Sequence, residues 1–120
     1  MSCRRILVYL SGPYTAGTHE GIAANIHTAR TWACSVWRAG FACLAPHLNT
    51  AHFELCCPGV GYNDYIEGDL RMLESCDAVL MLPLWEDSMG AIAERRHALE
   101  IGVPVFHDLT GLVAGFKESL

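Results

Sequence analysis

Four strand-length apolar runs, separated by stretches with helical periodicity, constrain this chain more than any other feature. The runs lie at residues 6–10, 41–45, 78–82 and 103–107. Each is short, rich in aliphatic, β-branched or aromatic side chains, and bounded by glycine, proline or a polar residue, as buried parallel strands are. Between the first two, Ile22, Ile26, Ala29, Ala33 and Val36 recur at steps of three and four, and Gly40 follows as a cap, so a helix is predicted over 21–38. A second helix is predicted over 63–75, with Ile66, Leu70 and Leu73 inward, and a third over 88–101, with Gly102 just past its end. Strands alternating with helices at these lengths predict an α/β fold: a small doubly wound, flavodoxin- or Rossmann-like parallel sheet with helices on both faces. The tail after His107 reads as a short helix or as a strand with a turn. Residues 46–61 carry Asn49, Pro58, Gly59 and Gly61 and read as a long irregular loop of functional length.

The chain has 120 residues, 52% of them hydrophobic, which suits a single domain over 1–120. A formal charge of −5 leaves no basic surplus for a nucleic acid polymer. No apolar run approaches membrane-spanning length and no signal-peptide pattern opens the chain, so a soluble cytoplasmic protein is expected. Cys34, Cys43 and Cys76 fall in core-like segments, which argues for reduced thiols over a disulfide framework.

Some residues do not fit a purely structural pattern. Glu94 lies three residues after Ala91 and four before Ala98, inside the small-residue stripe that should face the sheet. A buried carboxylate is costly without a role or a partner, although its place near the start of its helix favours the ionised form. The plainer reading pairs it with Arg71, Arg95 or Arg96. Asp69 borders the apolar face of its helix, where aspartate is a poor interior residue; a solvated Asp69 beside Arg71 or Arg96 is the plainer reading. Two carboxylates on one pocket are what substitution at a glycosidic carbon uses, one attacking and one managing protons. Tyr9 shares a strand face with Ser11 and either packs in the core or reaches the site.

The run Ser11-Gly12-Pro13-Tyr14-Thr15-Ala16-Gly17 offers backbone N–H groups and hydroxyls, but it is neither a dinucleotide-binding nor a Walker glycine loop. His47, His52, Cys56 and Cys57 lack metal-ligand spacing, so no metal site is expected. His97 reads as a solvated helix residue. Trp32 and Trp37, with Leu112, Val113 and Phe116, offer apolar area for packing or for contact between subunits, and a homodimer or larger assembly is expected.

Tyr9-Leu10-Ser11-Gly12, then Asp69-Leu70-Arg71-Met72-Leu73 running into Cys76-Asp77-Ala78-Val79-Leu80, then Ser88-Met89-Gly90 with Glu94, together resemble the nucleoside 2-deoxyribosyltransferase superfamily, in particular its short members, and share features with the 2′-deoxynucleoside 5′-phosphate N-hydrolases. The resemblance spans nearly the whole chain. It implies a glycosyl-enzyme on Glu94, proton transfer at the nucleobase by Asp69, and Tyr9 holding the nucleophile. Substrate contacts would fall on Ser11, Gly12, Tyr14, His47, Ser88 and Gly90. The implied ligand is a small nucleoside or nucleotide, with no cofactor. Ser88 stands where the transferases have aspartate, six positions before the nucleophile, which leans toward a 5′-phosphate held by Ser88 and the N–H groups around Gly90. The first loop, however, is not the Gly/Arg-rich phosphate loop of the hydrolases. A non-catalytic nucleotide-binding module and a flavin-phosphate binder are the rival readings.

Overall fold

The computed structural model describes residues 4–120. Its sheet has four parallel strands, β1 (Leu7–Ser11), β2 (Ala42–Leu44), β3 (Ala78–Met81) and β4 (Val105–Phe106), in the order β2-β1-β3-β4. The doubly wound expectation holds, and the central pair is β1 with β3, registered Val8 to Ala78 and Ser11 to Met81. Strand β1 extends one residue further than the apolar run, because Ser11 continues the ladder; its carbonyl accepts the Leu82 N–H. At the sheet's edges β2 and β4 are shorter than their runs.

Alternation along the strands divides the core in two. Val8, Leu10, Leu80 and Leu82 pack with Ala29, Ala33 and Val36 of α1 (His19–Arg38) and with Leu112 of α6 (Leu109–Gly115). On the other face Tyr9, Val79 and Met81 meet Leu73 of α4 (Tyr62–Leu73) and Ala91 and Ala98 of α5 (Met89–Ile101). The alanine stripe of α5 lets that helix sit close to the sheet. Helix α1 starts two residues before the predicted range because Thr18 caps it, its Oγ1 accepting the Gly21 N–H at 3.0 Å.

Residues 46–61, read as an irregular loop, instead contain two single-turn helices, α2 (Pro46–Asn49) and α3 (Phe53–Cys56). Pro46 at the first helical position accounts for α2, and a turn this short leaves too little periodicity to read. The tail takes its helical alternative. There the packing alternative describes the apolar residues: Leu112 is fully buried, and Val113, Phe116 and Trp32 pack against the same core. Phe116 sets its ring against Phe41 and Phe106 at centroid distances of 6.2 and 5.9 Å. Of that set only Trp37 stays exposed, at 51%.

The five described cysteines are free. Burial pushes the Cys43 thiol up to about 12 and the Cys76 thiol to about 11, so both behave as small apolar side chains. No helix among the described residues is long and apolar enough to cross a membrane.

Candidate active site

Helices α1 and α5 leave the central strands toward opposite faces, which opens a crevice beyond the carboxyl ends of β1 and β3. A cavity of about 550 Å³ lies there. Its wall is formed by the exit of β1 (Gly12 to Thr15), by α2 and α3, by one face of α4, and by the first turns of α5. Gly12 is required where the β1 and β3 exits converge, since a Cβ there would come within 2.7 Å of the Leu82 Cβ.

Glu94 projects from α5 toward the sheet and is only 6% exposed. None of the three candidate arginines pairs with it: Arg95 lies over the Trp85 ring and donates to His107, while Arg71 reaches Glu74 at 3.9 Å. Its partners are hydroxyls from β1. Tyr9 donates to Oε2 and Ser11 to Oε1, both at 2.6 Å. The period-two repeat of the strand puts those side chains on the α5 face, so two rigid donors fix the carboxylate plane. Neither Tyr9 nor Ser11 reaches the cavity surface. Ser11, expected among the substrate contacts, spends its hydroxyl on Glu94 instead.

Burial raises Glu94 from 4.5 to about 7, the hydroxyl donors opposing the shift and the charge of Asp69 adding to it. Asp69, half-buried on α4, rises to about 6 through burial. Burial and both carboxylates also push the Tyr9 phenol far up, so it remains a donor. Because both acids bind protons more tightly in the folded chain than in the unfolded one, stability falls as pH rises from about 4 through 7. The melting temperature should therefore be higher at pH 5 than at pH 7.5. At pH 7.5 Glu94→Gln should melt above the parent, on the order of 1–2 kcal/mol more stable, with a flatter pH profile. A glutamine variant that melts lower at every pH would show that the hydroxyl bonds outweigh the burial cost.

The other sequence candidates divide. Gly12, Tyr14, His47, Ser88 and Gly90 all line the cavity. Ser88 caps α5, its Oγ accepting the Ala91 N–H at 3.2 Å. At Gly90 a Cβ would lie 3.3 Å from the Ile66 Cδ1, so the glycine lets α4 close on α5. Tyr14 donates to Glu54 at 2.7 Å and accepts the His52 N–H at 2.8 Å, tying α3 to the β1 exit. His47 is 5% exposed, and its Nε2 lies 3.0 Å from the Gly12 carbonyl. Burial lowers its pKa against the opposing Gly12 and Pro13 carbonyls, so the ring is neutral. His52 faces Glu54 at 3.8 Å, and among the described residues no group of three metal-ligating side chains is assembled. His97 is partly buried and bonded to Glu74 at 2.8 Å, not simply solvated.

Sequence reasoning missed Tyr65, Tyr62, Glu54 and Asp87, all on the cavity wall. Tyr65 stands one turn before Asp69 on α4, a four-residue spacing that puts both on one face and could have disclosed it.

The parallel order 2-1-3-4, with a cavity at the point where the connections diverge, defines a doubly wound α/β fold. Solved structures share it, among them the 2-deoxyribosyltransferase of the psychrotolerant bacterium Bacillus psychrosaccharolyticus, at a TM-score of 0.58 and 16% identity over 82% of this chain and 69% of that one. Residues 6–107 match the family described as a domain of unknown function, DUF4406, and the chain belongs to that family. None of the curated proteins matches it in sequence.

Proposed function

We propose that the protein cleaves the N-glycosidic bond of a nucleoside through a covalent intermediate on Glu94. The observation that carries this is a buried carboxylate held at both oxygens by hydroxyl donors, beside a cavity that a second carboxyl, raised to about 6 by burial, also enters. The Glu94 carboxylate attacks C1′ as the C1′–N bond breaks. The bond's electron pair goes to the base, which takes the proton held by Asp69. Water, or a second nucleobase, then attacks C1′ from the opposite side, returns a proton to Asp69 and frees Glu94. The outcome is hydrolysis or base exchange with retained configuration. The fold shared with a 2-deoxyribosyltransferase supports this reading. Two inward carboxylates also speak against a binding module for anionic nucleotides.

Charge favours the free nucleoside over the 5′-monophosphate. Glu54, Asp69, Asp87 and Glu94 line the cavity, and no lysine or arginine among the described residues does. A unit negative charge about 8 Å from another costs about 2 kcal/mol at an effective dielectric of about 20. The start of α5 returns only roughly 0.3–1 kcal/mol to an anion. Ser88, expected to take a phosphate, accepts a backbone N–H as a cap and has only its single neutral O–H to offer an anion. The test is incubation with matched nucleosides and 5′-monophosphates, with released base measured by chromatography. Nucleosides should show kcat/KM at least about tenfold higher, a difference of ~1.4 kcal/mol. The reverse preference would place a phosphate at Ser88, and no release from any member would leave a binding module.

A further inference from the structure

Two residues that line the cavity each carry a buried polar atom with no partner among the described protein groups: Nδ1 of His47 and the hydroxyl of Tyr65. A buried polar atom left unpaired is costly, so such atoms beside a ligand cavity mark where a ligand's own polar groups fit. The His47 tautomer is fixed by chemistry. The Gly12 carbonyl can only accept, so Nε2 carries the hydrogen toward it, and Nδ1 of the neutral ring presents a lone pair. That lone pair takes only a group that brings a hydrogen. The Tyr65 hydroxyl, on α4, can give or take one.

We propose that His47 and Tyr65 form a recognition subsite for an uncharged O–H or N–H of the ligand, His47 accepting that hydrogen and Tyr65 supplying the second contact. The proposal rests on the nucleoside reading and sharpens it. A fully ionised phosphate has no hydrogen to offer Nδ1, whereas a sugar hydroxyl or a base N–H does. The subsite is separate from the Glu94 anchor, because Tyr9 and Ser11 on β1 hold Glu94 while His47 comes from α2 and Tyr65 from α4.

Binding measured calorimetrically in the Glu94→Gln background, where turnover is blocked, tests it. The probes are parent nucleosides, their 3′-deoxy and 5′-deoxy analogues, and analogues methylated at base N–H positions. One class of analogue should bind at least about tenfold more weakly than its parent, and which class shows it identifies the sugar or the base as the donor. His47→Phe in that background should bind parent and analogue alike. Tyr65→Phe removes only an unpaired hydroxyl; it should weaken parent binding about three- to tenfold while the melting temperature stays equal or rises. Parent nucleosides that bind while Tyr65→Phe binds equally tightly, or while His47→Phe still discriminates, would overturn the subsite alone. Parent nucleosides that do not bind at all would overturn both the subsite and the nucleoside reading. Should His47→Phe fail to fold, Tyr65→Phe decides.

Discussion

Replacing Glu94 by alanine should lower base release at least about 10⁴-fold and abolish any glycosyl-enzyme adduct seen by mass spectrometry, with the fold intact. The size follows from the step being removed, because a covalent intermediate cannot form without its nucleophile, and 10⁴ corresponds to ~5.5 kcal/mol of barrier. The fold should survive for two reasons. Alanine is the best helix former, and α5 already sets Ala91 and Ala98 against the sheet on the same stripe. The truncation also removes a buried carboxylate that burial already disfavours. Its cost is confined to the hydroxyls of Tyr9 and Ser11, which lose their acceptor. Turnover within about tenfold of the parent, a change of only ~1.4 kcal/mol, would remove Glu94 from the chemistry.

Glu94 was legible in the sequence because it broke a pattern. The stripe Ala91, Ala98 fixes which face of α5 meets the sheet, and a carboxylate inside that stripe has to be held by something. What holds it was not legible from periodicity. Tyr9 and Ser11 lie 85 and 83 residues away along the chain, and only the parallel pairing of β1 with β3 under α5 brings them within 2.6 Å. Strand alternation placed the two side chains on one face but could not say which helix covers it.

The cavity wall shows the same division. Residues at the ends of strands, such as Gly12 and His47, could be placed because doubly wound folds bind ligands there. Glu54 could not, since α3 is a single turn with no periodicity to read, and it is set in place by the Tyr14 hydroxyl, 40 residues earlier. The aromatic and apolar residues of the tail illustrate the opposite failure. Phe116 looks like spare apolar surface in sequence, yet the two-residue strand β4 leaves the sheet edge in need of cover, and α6 with Phe116 supplies it. Hydrophobicity alone does not say whether a side chain covers its own core or a neighbour's.

Asp69→Asn should reduce kcat/KM about 10²- to 10⁴-fold, the range general acid–base catalysis contributes, and should change the shape of the pH profile. In the parent, the Glu94 and Asp69 pair titrates near 6 and 7. Below about pH 6 the pair holds two protons and no nucleophile is ionised; above about 7 it holds none and nothing protonates the departing base. Between them one proton is shared. The reactive arrangement is the one with the anion on Glu94, which the two hydroxyl donors stabilise, and the proton on Asp69. A bell with its maximum between about pH 6 and 7 is therefore expected for the parent. In Asp69→Asn the alkaline limb should vanish, since no acid remains to lose its proton. The acidic limb should stay, because on that side Asp69 is protonated and lends Glu94 no charge for the substitution to remove. Nucleosides whose base departs without protonation should lose least, which separates a missing acid from a damaged pocket. If the asparagine variant kept both limbs at their parent positions, the proton would have to come from elsewhere, and Asp69 would be left as a residue that shapes the cavity without serving the reaction.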